Sequence, residues 1–134
     1  MIVVDASAIV AILLGEPEAV EFAARLHVEQ DGHAMSAVNY WEMLAKAEVS
    51  RGEIGRREAE HLLRALRIEI HPADAEQVRL AIEAFVRFGR HTPAKLNLGD
   101  CFAYALAVTH GGGALLYKGD DFARTDLRSA VKEA

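Results

Sequence analysis

The sequence predicts a three-layer α/β domain in which helices flank a mostly parallel central sheet. Its strand-like apolar runs are continuous rather than alternating, as in strands buried on both faces. Helical patterns separate these runs along the chain, and such alternation is typical of a parallel sheet covered by helices. The 134 residues, 51% hydrophobic and 26% charged, fit a single domain over residues 1–134.

Four runs predict the strands of this sheet. Met1–Val4 is rich in β-branched residues, and Ala114–Tyr117 follows three consecutive glycines that signal a turn. The shorter runs His33–Met35 and Ile68–Ile70 complete the predicted sheet.

Five segments carry a helical pattern, and an apolar stretch after Asp5 suggests a further helix that Asp5 would cap. The segment Leu98–His110 is apolar almost all round, which is typical of a buried helix. The predicted helices are Pro17–Val28, Ala37–Arg51, Arg56–Leu66, Asp74–Phe88 and Leu98–His110.

Composition narrows the possible partners. Fifteen Lys and Arg against 20 Asp and Glu give a net charge of −5, which argues against a general electrostatic hold on nucleic acid or on an anionic membrane. The single cysteine, Cys101, excludes an intramolecular disulfide and suits a reducing compartment, so we expect a cytoplasmic protein. No run approaches the roughly 20 apolar residues of a membrane helix.

One segment departs from this acidity. Residues 84–95 contain Arg87, Arg90 and Lys95 without an acid, and they are the predicted contact for an anionic substrate. The alternative is a solvated helix end that runs into a loop.

Acidic residues follow the predicted strands. Asp5 comes directly after the first strand, and Asp120 and Asp121 follow Ala114–Tyr117 across a short turn. Ligand-binding groups of parallel sheets collect beyond the carboxyl ends of the strands, so these acids are candidate site residues. The alternatives are a helix cap for Asp5 and turn formation for Asp120 and Asp121.

Two further acids lie on predicted helices. Asp100 opens the buried helix, where the helix dipole favours a carboxylate, and Asn97 offers a capping partner compatible with a catalytic role. Glu42 falls on or beside the apolar stripe of the predicted helix Ala37–Arg51, which contains Trp41. An acid that points the same way as a tryptophan needs a partner for its charge. An ion pair with Lys46, four residues on, is the simple alternative.

Several carboxylates at one edge of a sheet repel one another unless a cation or protons intervene. Oxygen ligands favour Mg²⁺ or Mn²⁺ over zinc. The reaction that such a site serves is phosphodiester hydrolysis, in which the ion activates water and neutralises developing charge.

Four segments together resemble the PIN-domain ribonucleases, and specifically the VapC toxins of bacterial type II toxin–antitoxin pairs. The resemblance runs from Met1 to about Leu127. It implies a PIN-like fold and a dimeric, Mg²⁺-dependent endoribonuclease that attacks structured RNA such as tRNA and is neutralised by a VapB-type antitoxin. The segments are VVDASA (3–8), Ser36-Ala37 ahead of Glu42, LNLGDCFAYALA (96–107) and KGDDF (118–122).

The resemblance also implies roles for individual residues. Asp5 and Asp100 would be the principal metal ligands, and Glu42 a ligand or the base that orients the attacking water. Asp120 would be the fourth acid, while Asp121 caps the following segment. Two auxiliary residues are expected, Ser7 beside Asp5 or a metal-bound water, and Asn97 beside Asp100.

Two other hypotheses remain at this point. The first is a PIN-like module that binds RNA or an antitoxin without cleaving. The second is a phosphoacceptor receiver domain, which shares the acid after strand one and a late lysine, here Lys118. The absence of any Asp between Asp31 and Asp74 argues against it, because a receiver needs an aspartate at the end of a central strand.

Overall fold

The computed structural model describes residues 1–131, in which five strands form one sheet. The strand order is β3-β2-β1-β4-β5, and every pair of neighbours is parallel. The predicted parallel α/β architecture is therefore confirmed. The strands are β1 (Ile2–Val4), β2 (His33–Ser36), β3 (Ile68–His71), β4 (Ala114–Leu116) and β5 (Arg128–Ser129).

Helices connect these strands. The longest, α3, is broken by non-helical backbone at Arg51 and Gly52, close to the predicted boundary between two helices. Among the described residues, no helix is long and apolar enough to cross a bilayer. The helices are α1 (Ala6–Leu13), α2 (Ala19–Val28), α3 (Ala37–Ala65), α4 (Ala75–Phe88) and α5 (Leu98–His110), with a short 3₁₀ helix at Phe122–Arg124.

The sheet separates two apolar clusters, which makes the three layers. Ile2 and Val4 of β1 belong to the cluster with α1, α2 and α3. Val3, between them, belongs to the cluster with α4 and α5, because successive strand side chains point to opposite faces. Burial on both faces explains why the first strand is a continuous apolar run.

The fifth strand carries no apolar run that would predict it. β5 has only two residues, Arg128 and Ser129, and it pairs with β4 at the edge of the sheet. The register Ala114↔Arg128 and Leu115↔Ser129 is fixed by tertiary contact rather than by local pattern.

Candidate active site

The predicted acids converge on one cavity of about 390 Å³. The segments after β1 and β4, the second and third turns of α3 and the first turn of α5 meet there, as expected for the carboxyl edge of a parallel sheet. The predicted site residues among its lining are Asp5, Ser7, Glu42, Asn97, Asp100, Asp120 and Asp121.

Asp5 is both a helix cap and a site residue. Its Oδ2 accepts a hydrogen bond of 3.1 Å from the Ser7 amide, which caps α1. Its side chain is buried, and this burial raises the pKa of the carboxyl, although the bonds from Ser7 act in the opposite direction. The Ser7 hydroxyl accepts from the Lys118 amide at 3.0 Å and so joins the start of α1 to the segment after β4.

Asp100 forms a reciprocal capping box with Asn97 at the start of α5. Asn97 Oδ1 accepts from the Asp100 amide at 2.8 Å, and Asp100 Oδ2 accepts from the Asn97 amide at 3.0 Å. Burial raises the pKa of Asp100 to about 6, and the charges of Asp5, Glu42 and Asp121 add to this rise. The helix start therefore holds a carboxylate that other acids repel.

Glu42 is held by a neighbour on its own helix. Asn39 Nδ2 donates to Glu42 Oε1 at 2.8 Å. Burial and the charge of Asp5 raise the pKa of Glu42, while the bond from Asn39 lowers it. Trp41, the next residue, is 69% exposed. The hydrogen-bond partner of Glu42 is therefore Asn39, on the same helix.

Lys46 shares the cavity without pairing closely with Glu42. No ion pair within 4.0 Å joins the two in residues 1–131. The positive charge of Lys46 nevertheless lowers the pKa of both Asp5 and Glu42. The i,i+4 spacing thus places a cation beside the acids rather than neutralising one of them.

The two acids after β4 both line the cavity and are exposed. Asp121 occupies the N-cap position of the 3₁₀ helix, yet its side chain makes no capping bond. Of these two acids, Asp121 adds to the rise in the Asp100 pKa that burial, Asp5 and Glu42 chiefly cause, whereas Asp120 adds to the rise in the Tyr117 pKa that burial causes. Both acids are therefore available at the mouth of the cavity.

The three predicted substrate contacts lie outside this cavity. Arg87 pairs with Asp126 at 3.2 Å and donates to the Tyr104 hydroxyl. Arg90 lines an apolar groove between α4 and α5, and Lys95 is exposed. The basic residues that the cavity lining does contain are Lys46, Lys118 and Arg124.

The whole-chain comparisons identify the family. A family model described as the PIN domain matches residues 2–127. The chain belongs to the PIN-domain family. Over 131 residues this PIN domain is 43% identical to ribonuclease VapC42 of Mycobacterium tuberculosis, a match that covers 96% of this chain and 98% of that protein. Ribonuclease VapC28 of the same species is 37% identical over 131 residues, covering 96% and 97%.

Solved structures agree on the fold of this PIN domain. VapC20 of M. tuberculosis, a sarcin-ricin loop cleaving toxin, superposes with a TM-score of 0.77 at 16% identity and covers 96% of this chain and 97% of its own. VapBC2 from Rickettsia felis, solved with a DNA fragment from its promoter, gives a TM-score of 0.72 at 15% identity, with 94% of each chain covered. The predicted resemblance to VapC toxins is confirmed, and the receiver-domain hypothesis is wrong.

The donor set of this PIN domain fits a hard divalent ion. The acids that line the cavity offer carboxylate oxygens, which Mg²⁺ and Mn²⁺ prefer. Within residues 1–131, no group of three or more acidic, histidine or cysteine side chains is arranged to hold a metal ion by itself. Mg²⁺ commonly takes one or two carboxylates and keeps its other positions for water and phosphate.

Two residues that contact Glu42 were not predicted from the sequence. Asn39 is fully buried and donates to both Glu42 and the Gly99 carbonyl, the latter at 2.9 Å. Gly99 packs so closely that a Cβ there would overlap the Glu42 carboxylate. The i,i+3 spacing of Asn39 and Glu42 is a signal in the sequence, whereas the approach of Gly99 from α5 is not.

Proposed function

We propose that this PIN domain is a Mg²⁺-dependent endoribonuclease toxin that hydrolyses RNA phosphodiester bonds, with Mn²⁺ able to replace Mg²⁺. The observation that carries the proposal is the convergence of Asp5, Glu42 and Asp100 on one cavity. Burial raises the pKa of all three, and repulsion by neighbouring acids adds to the rise for Glu42 and Asp100. A bound cation relieves that repulsion. Full-length identity of 43% to a named VapC ribonuclease supports RNA as the substrate.

Each acid takes a role in this proposal. Asp5 and Asp100 are the principal ligands of the ion, and Glu42 is a further ligand or the base that orients the attacking water. Asp120 is the fourth acid. When bound, the ion supplies an activated water and neutralises the charge that develops on the phosphate and the leaving oxygen. Ser7 and Asn97 hold Asp5 and Asp100 through the capping bonds.

We propose that RNA phosphates are contacted first by the basic residues of the cavity. Lys46, Lys118 and Arg124 line the same cavity as the acids, and the charge of Lys46 reaches two of them. Lys118 Nζ already pairs with Glu16 at 3.0 Å and with Glu18 at 3.5 Å, so a phosphate would compete with these two acids for it. Arg87, Arg90 and Lys95 remain candidates for contacts farther along a structured RNA such as tRNA. Local placement of cations matters here because the chain as a whole carries a charge of −5.

We further propose a cytoplasmic homodimer that a VapB-type antitoxin neutralises. A VapBC complex among the structural neighbours supports the antitoxin. An apolar groove between α4 and α5 supports the dimer, since its exposed residues include Ile82, Phe85 and Leu98. Coexpression with the antitoxin is expected to relieve growth arrest by the toxin, and continued arrest would contradict this partner.

The decisive experiment removes one carboxylate at a time. Asp5→Asn and Asp100→Asn are each expected to abolish Mg²⁺-dependent cleavage of total RNA while the circular dichroism spectrum stays native. Asp31→Asn is the matched control, because the Asp31 side chain is 83% exposed and does not line the cavity. Undiminished cleavage by Asp5→Asn or Asp100→Asn, or by the wild type in EDTA, would refute the proposal.

A non-cleaving RNA- or antitoxin-binding module is the second candidate. It predicts that the wild-type protein binds RNA or antitoxin yet leaves RNA intact at any Mg²⁺ or Mn²⁺ concentration. The acids of the cavity argue against it, because a module that only binds has no need of several repelling carboxylates.

A further inference from the structure

We propose that Asn39 is a positioning residue which, together with Gly99, sets the Glu42 carboxylate for divalent-metal binding. The inference rests on the proposed function, because it assigns a purpose to residues behind the metal-binding acids. Asn39 itself does not line the cavity, so its effect passes through Glu42.

The orientation of the Asn39 amide is fixed by chemistry. Its Nδ2 lies 2.8 Å from Glu42 Oε1 and 2.9 Å from the Gly99 carbonyl oxygen. Both partners are acceptors, so only the NH₂ group can face them, and a flipped amide would set oxygen against two oxygens. The two hydrogens of one nitrogen therefore join a site carboxylate to the backbone of α5.

The Oδ1 atom of Asn39 does not stabilise the fold at its buried position. Asn39 is 0% exposed, and its Oδ1 is buried without a hydrogen-bond partner among the described residues. A buried acceptor without a partner costs free energy, whereas an apolar side chain would fill the same space without that cost. The amide is therefore better explained by its donated bonds than by packing.

Gly99 confines the same carboxylate from helix α5. A Cβ on this residue would overlap Glu42 Oε1, Oε2 and Cδ. Gly99 is the second residue of helix α5, where glycine still costs more backbone entropy on folding than alanine. The helix thus gives up intrinsic stability at a point where only glycine lets the carboxylate lie against its backbone.

Together the two residues restrict a flexible side chain. A glutamate loses rotamer freedom when it binds a metal, and fixing its orientation beforehand reduces that cost. Residues that orient metal ligands in this way typically change metal affinity about 10- to 100-fold when mutated.

The test measures Mn²⁺ affinity by isothermal titration calorimetry in the absence of RNA. Asn39→Ala is expected to weaken Mn²⁺ binding about 10-fold. Gln77→Ala is the matched control, since Gln77 is also a buried amide that joins two helices, but it donates to Thr109 Oγ1 at 3.1 Å, away from the acids. The control is expected to bind Mn²⁺ as the wild type does. Unchanged Mn²⁺ affinity in Asn39→Ala would overturn the proposal.

A double-mutant cycle separates positioning from general structure. In the Glu42→Ala background the Asn39→Ala change is expected to have no further effect on Mn²⁺ affinity, because the group that Asn39 orients is gone. An equal loss in both backgrounds would overturn the proposal and would indicate a merely structural role. Wild-type protein that binds no Mn²⁺ would instead refute the proposed function.

Gly99→Ala reaches the same carboxylate without deleting a buried side chain. We expect the circular dichroism spectrum to stay native, because the group that must shift is the end of the Glu42 side chain, while Mn²⁺ affinity and RNA cleavage both fall. This variant keeps the proposal testable if Asn39→Ala does not fold. Wild-type Mn²⁺ affinity in Gly99→Ala would show that Glu42 needs no such confinement.

Discussion

At the scale of single residues, the raised pKa of Asp100 links stability to pH. Burial, with the charges of Asp5 and Glu42, moves this pKa from 3.8 to about 6. The folded protein therefore binds a proton on Asp100 more tightly than the unfolded chain does. The stability that this proton contributes is fully present below about pH 4 and is lost as the pH rises through 6. Its contribution to the free energy of unfolding is at most about 3 kcal/mol, which solvent screening reduces.

We therefore expect the metal-free protein in EDTA to melt at a higher temperature at pH 5 than at pH 7.5. Asp100→Asn is expected to reduce this difference, and Asp31→Asn to leave it unchanged, as measured by thermal unfolding. Added Mg²⁺ is expected to stabilise the wild type most at pH 7.5, because the ligands must be ionised to bind the ion. Equal melting temperatures at both pH values in EDTA would contradict the prediction.

The charge of Lys46 is expected to weaken metal binding and to strengthen RNA binding. Its charge already acts on Asp5 and Glu42, so it repels a second cation among the same acids. Lys46→Met should bind Mn²⁺ several-fold more tightly in calorimetry and cleave RNA more slowly, since a phosphate contact is lost. Arg79→Met, at an exposed residue of α4 outside the cavity, is the control. Tighter Mn²⁺ binding with faster cleavage, or weaker Mn²⁺ binding with slower cleavage, would contradict this role.

At the scale of elements, the break in α3 keeps its first half in place. Gly52 has φ 63° and ψ −148°, a backbone region that is essentially restricted to glycine. Beyond it the chain turns back, so that the Tyr40 hydroxyl donates to Glu60 and Gly55 lies against the Ala47 carbonyl. The half that carries Asn39 and Glu42 is thereby braced by the half that follows.

Gly52→Ala should consequently lower the free energy of unfolding by about 1–3 kcal/mol. Glu53→Ala, at the next residue, should change it by less than about 0.5 kcal/mol, because the position is exposed and its i,i+4 ion pair with Arg57 contributes little there. Urea denaturation of both variants measures the difference. Equal stabilities would show that the break can form without glycine.

At the scale of the whole molecule, the apolar groove between α4 and α5 predicts the oligomeric state. Ile82 is 57% exposed in this groove, and burying such residues against a second copy removes apolar surface from water. Ile82→Glu should convert a dimer into monomers in sedimentation velocity. Val49→Glu is the control, because Val49 is 89% exposed on α3 and lies outside this groove. A dimer that persists in Ile82→Glu would place the interface elsewhere.

Much of the fold and of the acidic site could be predicted because the relevant signals are local. Val3 and Val4 belong to a continuous apolar run that predicts a strand buried on both faces, and Asp5 follows that strand directly. The reciprocal cap of Asn97 and Asp100 is visible as a three-residue spacing. The basic lining was missed because Lys46, Lys118 and Arg124 come from separate parts of the chain and form no run.

The architecture and the family follow from the sequence alone, since apolar periodicity and the motifs around Asp5 and Asp100 are properties of short segments. Which charges face the acids, and what holds Glu42, depend on how distant segments pack together. The contact of Asn39 with Gly99 spans 60 residues, and β5 exists only through its pairing with β4. Such contacts arise from packing between distant segments, and no local pattern encodes them.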